Sequence, residues 1–597
     1  HAVAPERTDH PGALAMTGKG PTPGSSGERA GARPGLHDPR SISGEIGDRH
    51  YRRIPERPFT EDQRPTTTIL IGNLTRKHET LLRAVFRRHG LLVESLPDPD
   101  KAAFRTGKEF SSNGLCNPVY YTAGALILYL RDLEARGLTR REIENRYCYL
   151  TLSDCGPCRF GMYESEYRQA LENAGFQRFR VLTTQLNRAS RTGGKRPGLD
   201  FSLDQWLGLV NALILGDLLY AVPYRLRPYE IRPGEANRAV DECVRTLASF
   251  LYGRVGFELR ERVPRPLRRI LGRFPNLTKW LDLVGKYRHH YHSAGFREVL
   301  ALCRRRLRAV ELDRTRTKPV VKIVGEFYSH ISETDANYKM FSFLEAEGAE
   351  VAVGSIGEVL QYWLFKSRRD LLQRRGLDSP YPSPGWWQLR RRYRNWKAFA
   401  VKPFLLWLIH RISMHQYRRL QRALGSLSQI PTRQEILAGA AEPYYRPLTR
   451  GGEGHLEVGE SIHSTINHHC HMVLSLKPFG CMPSTQSDGV MATVATHLDE
   501  MLFSSIETTG DSDINAYSRV QMVLSDAHRR AREEFERALG AGGCSLEDIQ
   551  AFVEQRPHLR RAGYTIPRSP GVVGEAAHFV LHVADVMDRN RWTRGKG

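Results

Sequence analysis

The feature that most constrains the fold is the segment at residues 147–168, where an apolar run, a turn with two cysteines and a helical stretch follow one another. The run at 147–152 is aromatic and β-branched, which predicts a buried strand. The turn reads Cys-Gly-Pro-Cys from Cys155 to Cys158, and the predicted helix begins near Gly161. Because an open α/β sheet binds ligands beyond the carboxyl ends of its strands, this turn is a candidate binding site.

Two thiols on a short Gly-Pro turn point in the same direction and can bind one metal centre. The C-x-x-C pair is interpreted first as iron–sulfur or zinc ligands, and second as a thioredoxin-like dithiol. A metal centre needs further ligands, and Cys116 and Cys481 lie in comparable turns rich in Gly, Pro, Asn and Ser. Cys116 precedes a predicted helix, whose amino end is expected to lower the pKa of the thiol and favour the thiolate that metals bind.

The long and irregular spacing of these cysteines favours an iron–sulfur cluster over structural zinc, which usually takes its thiols from two local knuckles. Four thiolates saturate a [4Fe–4S] cluster and suit electron transfer. Three thiolates leave one iron open to a substrate oxygen, so that the cluster is also a Lewis acid. Cys116, Cys155 and Cys158 would form such a set of three, and Cys481 would complete the cluster or lie beside it.

The other five cysteines of the chain are predicted to play no part in this centre. Cys243 and Cys303 lie on predicted helical faces and Cys148 lies within a strand, so all three are predicted to be buried. Cys544 follows Gly-Gly and is predicted to lie in an exposed loop. Cys470 lies in a His-His-Cys-His tract, for which metal binding stays open beside a buried thiol.

The predicted elements alternate between strand and helix in two separate regions, which favours two α/β domains with parallel sheets. Predicted strands lie at residues 66–73, 91–93, 147–152, 179–183, 319–326, 350–353, 472–476 and 501–506. The predicted organisation is a disordered basic leader at 1–65, a first α/β domain with Cys116 and the C-x-x-C pair at 66–200, a helical subdomain at 201–315, a second α/β domain with a helical insertion and Cys481 at 316–530, and a C-terminal helical segment and tail at 531–597.

Charge and cysteine content limit the classes of partner and compartment. The chain of 597 residues has 88 Lys and Arg against 65 Asp and Glu, a net charge of +23, which favours an anionic partner. Nine cysteines are too few for a disulfide scaffold and no secretory signal is visible, so a reducing, cytoplasmic location is expected. The longest apolar run, near residues 207–222, is interrupted by polar residues and is predicted to be too short to span a bilayer.

A helical and basic stretch at residues 362–424 has tryptophans interleaved among its charged residues, among them Trp386, Trp387, Trp396 and Trp407. We interpret it as amphipathic helices whose arginines face water, with an RNA-binding surface as the alternative. The chain has no RNA-recognition, KH or helix-turn-helix signature that would favour the alternative.

Four strings of the sequence resemble the 2-hydroxyacyl-CoA dehydratase superfamily, and within it the branch of acyl-CoA dehydratase activase-related proteins. They are GLCNPVYYTAGALILYLRDLE, DCGPCRFGMYESEYRQALENAGFQRFRV, GEFYSHISETDANYKMFSFLEAEGAEV and SLKPFGCMPSTQSDGV. The resemblance covers roughly residues 67–527 and is most specific at the C-G-P-C-R-F-G and P-F-G-C-M-P-S segments.

This resemblance implies two Rossmann-like domains around an oxygen-sensitive [4Fe–4S] cluster held between them, with a double-cubane cluster as an alternative. By motif position, the ligands would be Cys116, Cys155, Cys158 and Cys481. It implies an iron–sulfur lyase or reductase component that acts on a CoA thioester after receiving an energised electron from an activase, an ATPase of the actin/Hsp70 type. Since the chain has no phosphate-loop or actin-like ATP motif, it resembles the activated partner rather than the activase.

Three residues near these motifs are candidates for catalytic roles. Arg159 is able to hydrogen-bond cluster sulfide or hold a phosphate, or else to pair with Glu164 or Glu166 on the following helix. Ser484 is a hydrogen-bond donor near the site, with capping of the next helix as its alternative. Glu507, at a predicted strand end, is an acid/base candidate whose alternative is a surface salt bridge.

The predicted partners follow from these interpretations. We expect the activase, a CoA-thioester substrate and a homo- or hetero-oligomer, with no membrane and no nucleic acid. A non-catalytic module with structural zinc or a saturated electron-relay cluster is the alternative from another class, and nucleic-acid binding through the arginine-rich helices is a weaker one.

Overall fold

The computed structural model describes residues 57–152, 158–183, 197–331, 333–373, 385–449, 452–510 and 513–594. Two four-stranded sheets organise this part of the chain, and every strand pair in them is parallel. The first sheet has the order β2-β1-β3-β4, with β1 Thr68–Ile71, β2 Leu92–Ser95, β3 Tyr147–Thr151 and β4 Arg180–Thr183. The second has the order β6-β5-β7-β8, with β5 Val320–Gly325, β6 Glu350–Ala352, β7 Met472–Pro478 and β8 Phe503–Thr508.

All eight predicted strands are confirmed, and the α/β class with them. Apolar runs form the strands because both faces of a parallel sheet are covered by helices. In β7 all seven residues are buried, and the strand extends to Pro478, beyond its predicted end. In each sheet the second strand of the chain lies on one side of the first and the third strand lies on the other. The strand order therefore reverses between β1 and β3, and between β5 and β7. Crevices for ligands form outside the carboxyl ends of the strands at such switch points.

Eleven helices lie before the second sheet in the described residues. They are α1 Arg76–Arg88, α2 Lys101–Phe110, α3 Asn117–Ala135, α4 Arg140–Arg146, α5 Tyr163–Asn173, α6 Leu203–Leu226, α7 Glu235–Gly253, α8 Leu259–Arg262, α9 Arg265–Gly272, α10 Pro275–His292 and α11 Ala294–Ala309.

The remaining helices of the described chain lie within and after the second sheet. They are α12 Phe327–Ile331, α13 Met340–Ala346, α14 Ile356–Gln373, α15 Leu389–Trp396, α16 Lys402–Ala423, α17 Gln434–Ala441, α18 Gly454–Ile466, α19 Met482–His497, α20 Asp513–Gly542, α21 Leu546–Glu554 and α22 Glu575–Arg594. A π-helical turn at Lys397–Val401 joins α15 to α16.

Helix α6 is the central helix of the largest apolar cluster, which also includes residues of α1, α7 and α11. The prediction that this apolar stretch is too short to span a bilayer was wrong, because the helix continues through the polar residues Asn211 and Asp217. By length and composition, the stretch Leu203–Tyr229 passes the test for a membrane span among the described residues, and most of it is buried inside the protein. A buried core helix passes the same test.

Candidate functional site

Cys116 lies at the amino end of α3, directly before the first residue of the helix. The position of α3 is fixed by unusually close packing against α2. A side chain at Gly107 would overlap the backbone of Tyr120, and one at Gly124 would overlap the backbone of Ala103. The absence of β-carbons at these two glycines therefore lets the helices approach closely and places the Cys116 thiol.

Cys481 occupies the corresponding position in the second sheet, between the end of β7 and the first residue of α19. The preceding residue, Gly480, has a φ of +77°, a conformation that side-chain-bearing residues rarely adopt. A β-carbon there would lie 3.1 Å from the carbonyl oxygen of Leu115 and 3.4 Å from the Cα atom of Cys116. The two cysteine-bearing turns are therefore in direct contact, although they come from different sheets.

Asn117 joins the two turns by hydrogen bonds. Its backbone N–H donates to the carbonyl oxygen of Phe479 at 3.2 Å, and its side-chain Nδ2 donates to the carbonyl oxygen of Thr508 at 2.6 Å. The amino end of α3 is thus bonded to the ends of both β7 and β8. The Asn117 side chain, 2% exposed, has a structural role at this junction.

Cys158 lies at the start of the 3-10 turn Arg159–Met162 and is half-buried. Arg159 donates a hydrogen bond from its guanidinium to the carbonyl oxygen of Gly114, two residues before Cys116. Its Nη1 atom would lie 3.4 Å from a β-carbon at Gly480. The turn after β3 therefore contacts the turns that carry Cys116 and Cys481. Cys155 lies outside the described residues.

The alternative for Arg159, an ion pair with Glu164 or Glu166, is not among the ion pairs of the described residues; Glu164 pairs with Arg168 one helical turn further on, at 3.0 Å. The geometry of α5 places these two side chains on one face at i and i+4. Arg159 instead connects two of the cysteine-bearing turns.

Two hydroxyl groups contact the thiols. The Tyr163 hydroxyl lies 3.0 Å from the sulfur of Cys116, and the hydroxyl of Ser484 donates to the sulfur of Cys481 at 3.0 Å. Ser484 does not cap α19, since Cys481 occupies the capping position and Ser484 lies within the first turn. Its hydroxyl is therefore directed at the cysteine, in keeping with the predicted role as a donor near the site.

Two carboxylic acids that the sequence analysis missed lie close enough to Cys158 and Cys481 to interact electrostatically with both thiols. Glu326 directly follows β5, and its Oε2 atom accepts hydrogen bonds from the N–H and hydroxyl of Ser329, both at 3.1 Å. Glu453 precedes α18 and is buried. Burial raises the pKa of both, that of Glu453 to about 8, with the charge of Glu326 adding to the effect. The position of Glu326 after a strand would have identified it by the rule used for the cysteines.

The expected lowering of the Cys116 pKa at the helix amino end was wrong. Burial raises the pKa of the Cys116 thiol to about 11 and that of Cys158 to about 12, and it also raises the pKa of Cys481. Glu326 adds to the shift of all three thiols, and Glu453, in its ionised form, adds to those of Cys158 and Cys481. Burial and nearby carboxylates therefore outweigh the partial positive charge of the helix end, which decays within one turn.

These surroundings fit a centre that brings its own positive charge. Thiolates that are buried beside carboxylates need a cation to compensate them, and iron or another thiophilic metal supplies one. Among the described residues, which do not include Cys155, no group of three or more His, Cys, Asp or Glu side chains is arranged to hold a single metal ion.

The candidate Glu507 and the buried Lys477 of β7 make no contact with the thiols among the contacts of the described residues. Glu507 lies within β8 rather than at its end, and its side chain is exposed. Lys477 is buried and pairs with Glu457 at 3.0 Å and with Asp488. Lys477 and Glu457 are buried and Asp488 is exposed, so these three charged side chains link β7, α18 and α19 from the interior to the surface.

Four of the remaining cysteines are buried, namely Cys148, Cys243, Cys303 and Cys470. The first three were predicted to be so. Cys544 lies in a loop, between α20 and α21, as predicted, but it is half-buried rather than exposed and packs against the apolar cluster of α20, α21 and α22.

In comparisons with known proteins, no family model, no curated protein and no solved structure matches the chain.

Proposed function

We propose that the crevice between the two sheets holds an iron–sulfur cluster through Cys116, Cys155, Cys158 and Cys481. In this proposal the protein receives a low-potential electron from an ATP-dependent activase and reduces or dehydrates a CoA-thioester substrate. The alternative, a relay module without a catalytic site, would use the same thiols.

The observation that carries the proposal is the contact between the turns of Cys116 and Cys481. These turns come from opposite sheets and are widely separated in the sequence, yet a β-carbon at Gly480 would touch the Cα atom of Cys116 at 3.4 Å. The Arg159 turn adjoins both. Soft ligands converging at the carboxyl ends of two parallel sheets favour a bound cluster over isolated buried thiols.

When bound, the cluster would supply the electron and a Lewis-acidic iron. The chain itself would supply the proton. Glu453, with a pKa of about 8, is protonated at neutral pH, so it is suited to give a proton to a hydroxyl group that leaves a substrate carbon. Glu326 and Glu453 take over the acid/base role that the sequence analysis assigned to Glu507, whose side chain faces solvent.

The hydrogen-bond donors near the sulfur atoms would tune the site rather than react. The Ser484 hydroxyl already donates to the Cys481 sulfur, and a thiolate at the same position is a stronger acceptor. Arg159 holds the turn of Gly114 and brings one positive charge to the crevice. Donors to cluster sulfurs raise the reduction potential by stabilising the more negative, reduced state.

The proposal is tested by purifying the full chain without oxygen and measuring iron, acid-labile sulfide and the EPR spectrum after reduction. We expect iron and sulfide in about equal amounts, and an EPR signal of a reduced cluster. Cys155→Ser and Cys481→Ser should each remove most of this signal. The matched control is Cys470→Ser, which replaces a buried thiol outside the crevice and should leave it unchanged.

Two results would count against the proposal. An EPR signal that survives both Cys155→Ser and Cys481→Ser would exclude these ligands. Stoichiometric zinc with no iron in the anaerobic protein would favour the structural alternative. A second experiment distinguishes the catalytic proposal from a simple relay. An actin/Hsp70-type ATPase is added with ATP and a CoA thioester. ATP-dependent electron transfer to the protein together with consumption of the thioester would support the catalytic proposal.

A further inference from the structure

Helix α15 presents a row of large apolar side chains to solvent. Leu389, Tyr393 and Trp396 are 73%, 59% and 58% exposed, and their spacing of four and three residues places them on one face of the helix. Trp386 and Trp387, in the turn before α15, are exposed as well. Isolated exposed apolar side chains are ordinary, but a contiguous apolar patch marks an interaction site.

The exposed apolar row continues on α16 beyond the π-helical turn. Phe404, Leu405, Leu408 and Ile412 are exposed and share one side of the helix. The opposite side of α16 carries buried residues, among them His410, Met414 and Tyr417. Residues 404–409 of this helix are all apolar, and the outer side of the helix has no covering element among the residues that the structure describes.

The same stretch is strongly basic. Residues 385–423 contain ten lysines and arginines and no aspartate or glutamate. Arg390, Arg391 and Arg392 are exposed beside the apolar row of α15. We call the exposed apolar row of α15 and α16, with these flanking basic side chains, the aromatic–basic surface. The expectation that the arginines of this stretch face water is confirmed for these three, but the tryptophans face water too.

We propose that the aromatic–basic surface docks the protein on an anionic membrane surface. An interfacial helix combines these two parts in one element: aromatic and aliphatic side chains that enter the boundary between headgroups and acyl chains, and basic side chains that bind anionic headgroups. Leu405, Leu408 and Ile412 favour lipid over nucleic acid, because single-stranded nucleic acids bind to aromatic platforms and charges and would leave the aliphatic side chains in water.

This proposal departs from the sequence expectation that excluded a membrane. That expectation considered only a membrane-spanning helix, and α6 is largely buried. A surface-bound helix needs no long apolar run. It needs an apolar side that faces outward, and only the tertiary structure distinguishes the outer side of α16 from the inner one.

The test is partition of the full-length protein onto large vesicles, measured by flotation and by the blue shift of tryptophan fluorescence. Vesicles of phosphatidylcholine alone are compared with vesicles that also contain phosphatidylglycerol. We expect binding to the anionic vesicles that weakens as salt is added, because salt screens the basic side chains. Quenching by lipids brominated on the acyl chains should show that tryptophans reach the acyl boundary.

Two triple variants separate the charged from the apolar contribution. The first replaces Arg390, Arg391 and Arg392 by Gln, and its control replaces three exposed arginines elsewhere, Arg245→Gln, Arg532→Gln and Arg537→Gln. Both variants lose the same charge. We expect the first to reduce partition at least about tenfold, and the control to bind nearly as the original chain does.

The second variant changes Trp396, Phe404 and Leu405 to Gln, and its control changes three exposed apolar residues of other elements, Val255→Gln, Ile514→Gln and Met522→Gln. The first should abolish the fluorescence shift and lower partition at least about tenfold, whereas the control should change neither.

Three outcomes would overturn the proposal. The first is equal binding to neutral and anionic vesicles. The second is an equal loss of partition in a test variant and its control. The third is no vesicle binding together with tight binding of single-stranded RNA, measured by an anisotropy titration, that the two triple variants weaken. Circular dichroism of each variant shows whether it is folded, and all the replaced residues are exposed. Vesicle binding does not depend on the proposed cluster, so this experiment tests the membrane proposal separately from the proposed function.

Discussion

His330 illustrates at the residue scale how burial decides the chemistry of a side chain next to the candidate site. Its Nδ1 atom lies 3.0 Å from the carbonyl oxygens of both Gly325 and Glu326, so this nitrogen carries the hydrogen of a neutral ring. The Nε2 atom is buried and has no hydrogen-bond partner among the described residues. Burial lowers the pKa of His330 to about 4, and the positive charge of Lys322 adds to this.

This lowered pKa predicts a loss of stability in mild acid. Between pH 6.5 and 4 the unfolded chain binds a proton at this histidine and the folded chain does not, so the free energy of unfolding falls as the pH falls through this window. The full effect of a shift from 6.5 to about 4 is roughly 3 kcal/mol. Urea titrations from pH 4 to 7 should show a shallower pH dependence for His330→Gln.

The control for this prediction is His415→Gln, which changes an exposed histidine on α16. Its pH dependence should equal that of the original chain. If His330→Gln and the original chain lose stability in parallel over this window, His330 does not cause the loss.

At the scale of elements, Asp217 joins four helices. Its Oδ1 atom accepts from Nε2 of His78 on α1 at 3.0 Å and from the N–H of Ile356 at 2.8 Å. Its Oδ2 atom accepts from the N–H of Gly357 at 2.8 Å and from the hydroxyl of Tyr417 on α16 at 2.5 Å. The carboxylate thus caps the amino end of α14 from within α6, which explains how a charged residue is accommodated in an otherwise apolar core helix.

We expect Asp217→Asn to lower the free energy of unfolding by about 3 kcal/mol, since the amide loses the charge and turns a donor toward groups that are themselves donors. Asp526→Asn is the control. Asp526 is exposed, and its ion pair among the described residues is with Arg529, which lies on the same helix, α20. Its effect should stay within about 0.5 kcal/mol. Urea unfolding of both variants measures the difference. Equal urea midpoints for Asp217→Asn and Asp526→Asn would show that the Asp217 carboxylate does not stabilise the packing of these helices.

The elements themselves follow closely from local sequence, whereas their contacts do not. All eight strands lie where local runs predict them, and the signal is strongest in β7, whose seven residues are all buried and which has an apolar composition that a short window of sequence shows. Glu453 has no such local signal. It precedes a helix far from any cysteine in the sequence, and only the packing of α18 against the second sheet brings it near the thiols.

At the scale of the whole molecule, the site depends on how the two sheets are joined. Asn117 donates one hydrogen bond to the end of β7 and another to the end of β8, at 3.2 and 2.6 Å. Both acceptors belong to the second sheet, while Asn117 belongs to a helix of the first. A change at this position should therefore affect the distance between Cys116 and Cys481 more than it affects either sheet.

We expect Asn117→Ala to lower stability by about 1–2 kcal/mol and, if the proposed cluster is bound, to accelerate the loss of its iron when the protein is exposed to a chelator. Asn173→Ala is the matched control. The Asn173 side chain also donates to a backbone carbonyl, that of Phe110 at 2.7 Å, but both residues lie on the first sheet's side. Iron release at the same rate in both variants would show that the Asn117 bonds do not hold the ligands together.

The sequence by itself determined the strands, the turns that follow them and the identity of the cysteines as candidate ligands, because these features depend on residues close together in the chain. Only the tertiary structure decided which turns meet, since the contact of the Gly480 and Leu115 turns joins separate sheets. It also decided that burial raises the pKa of the thiols, with Glu326 adding to the shift of all three and Glu453 to those of Cys158 and Cys481, and that the outer side of α16 is apolar. Solvent exposure and the charges around a group are properties of the packed chain, and no local pattern contains them.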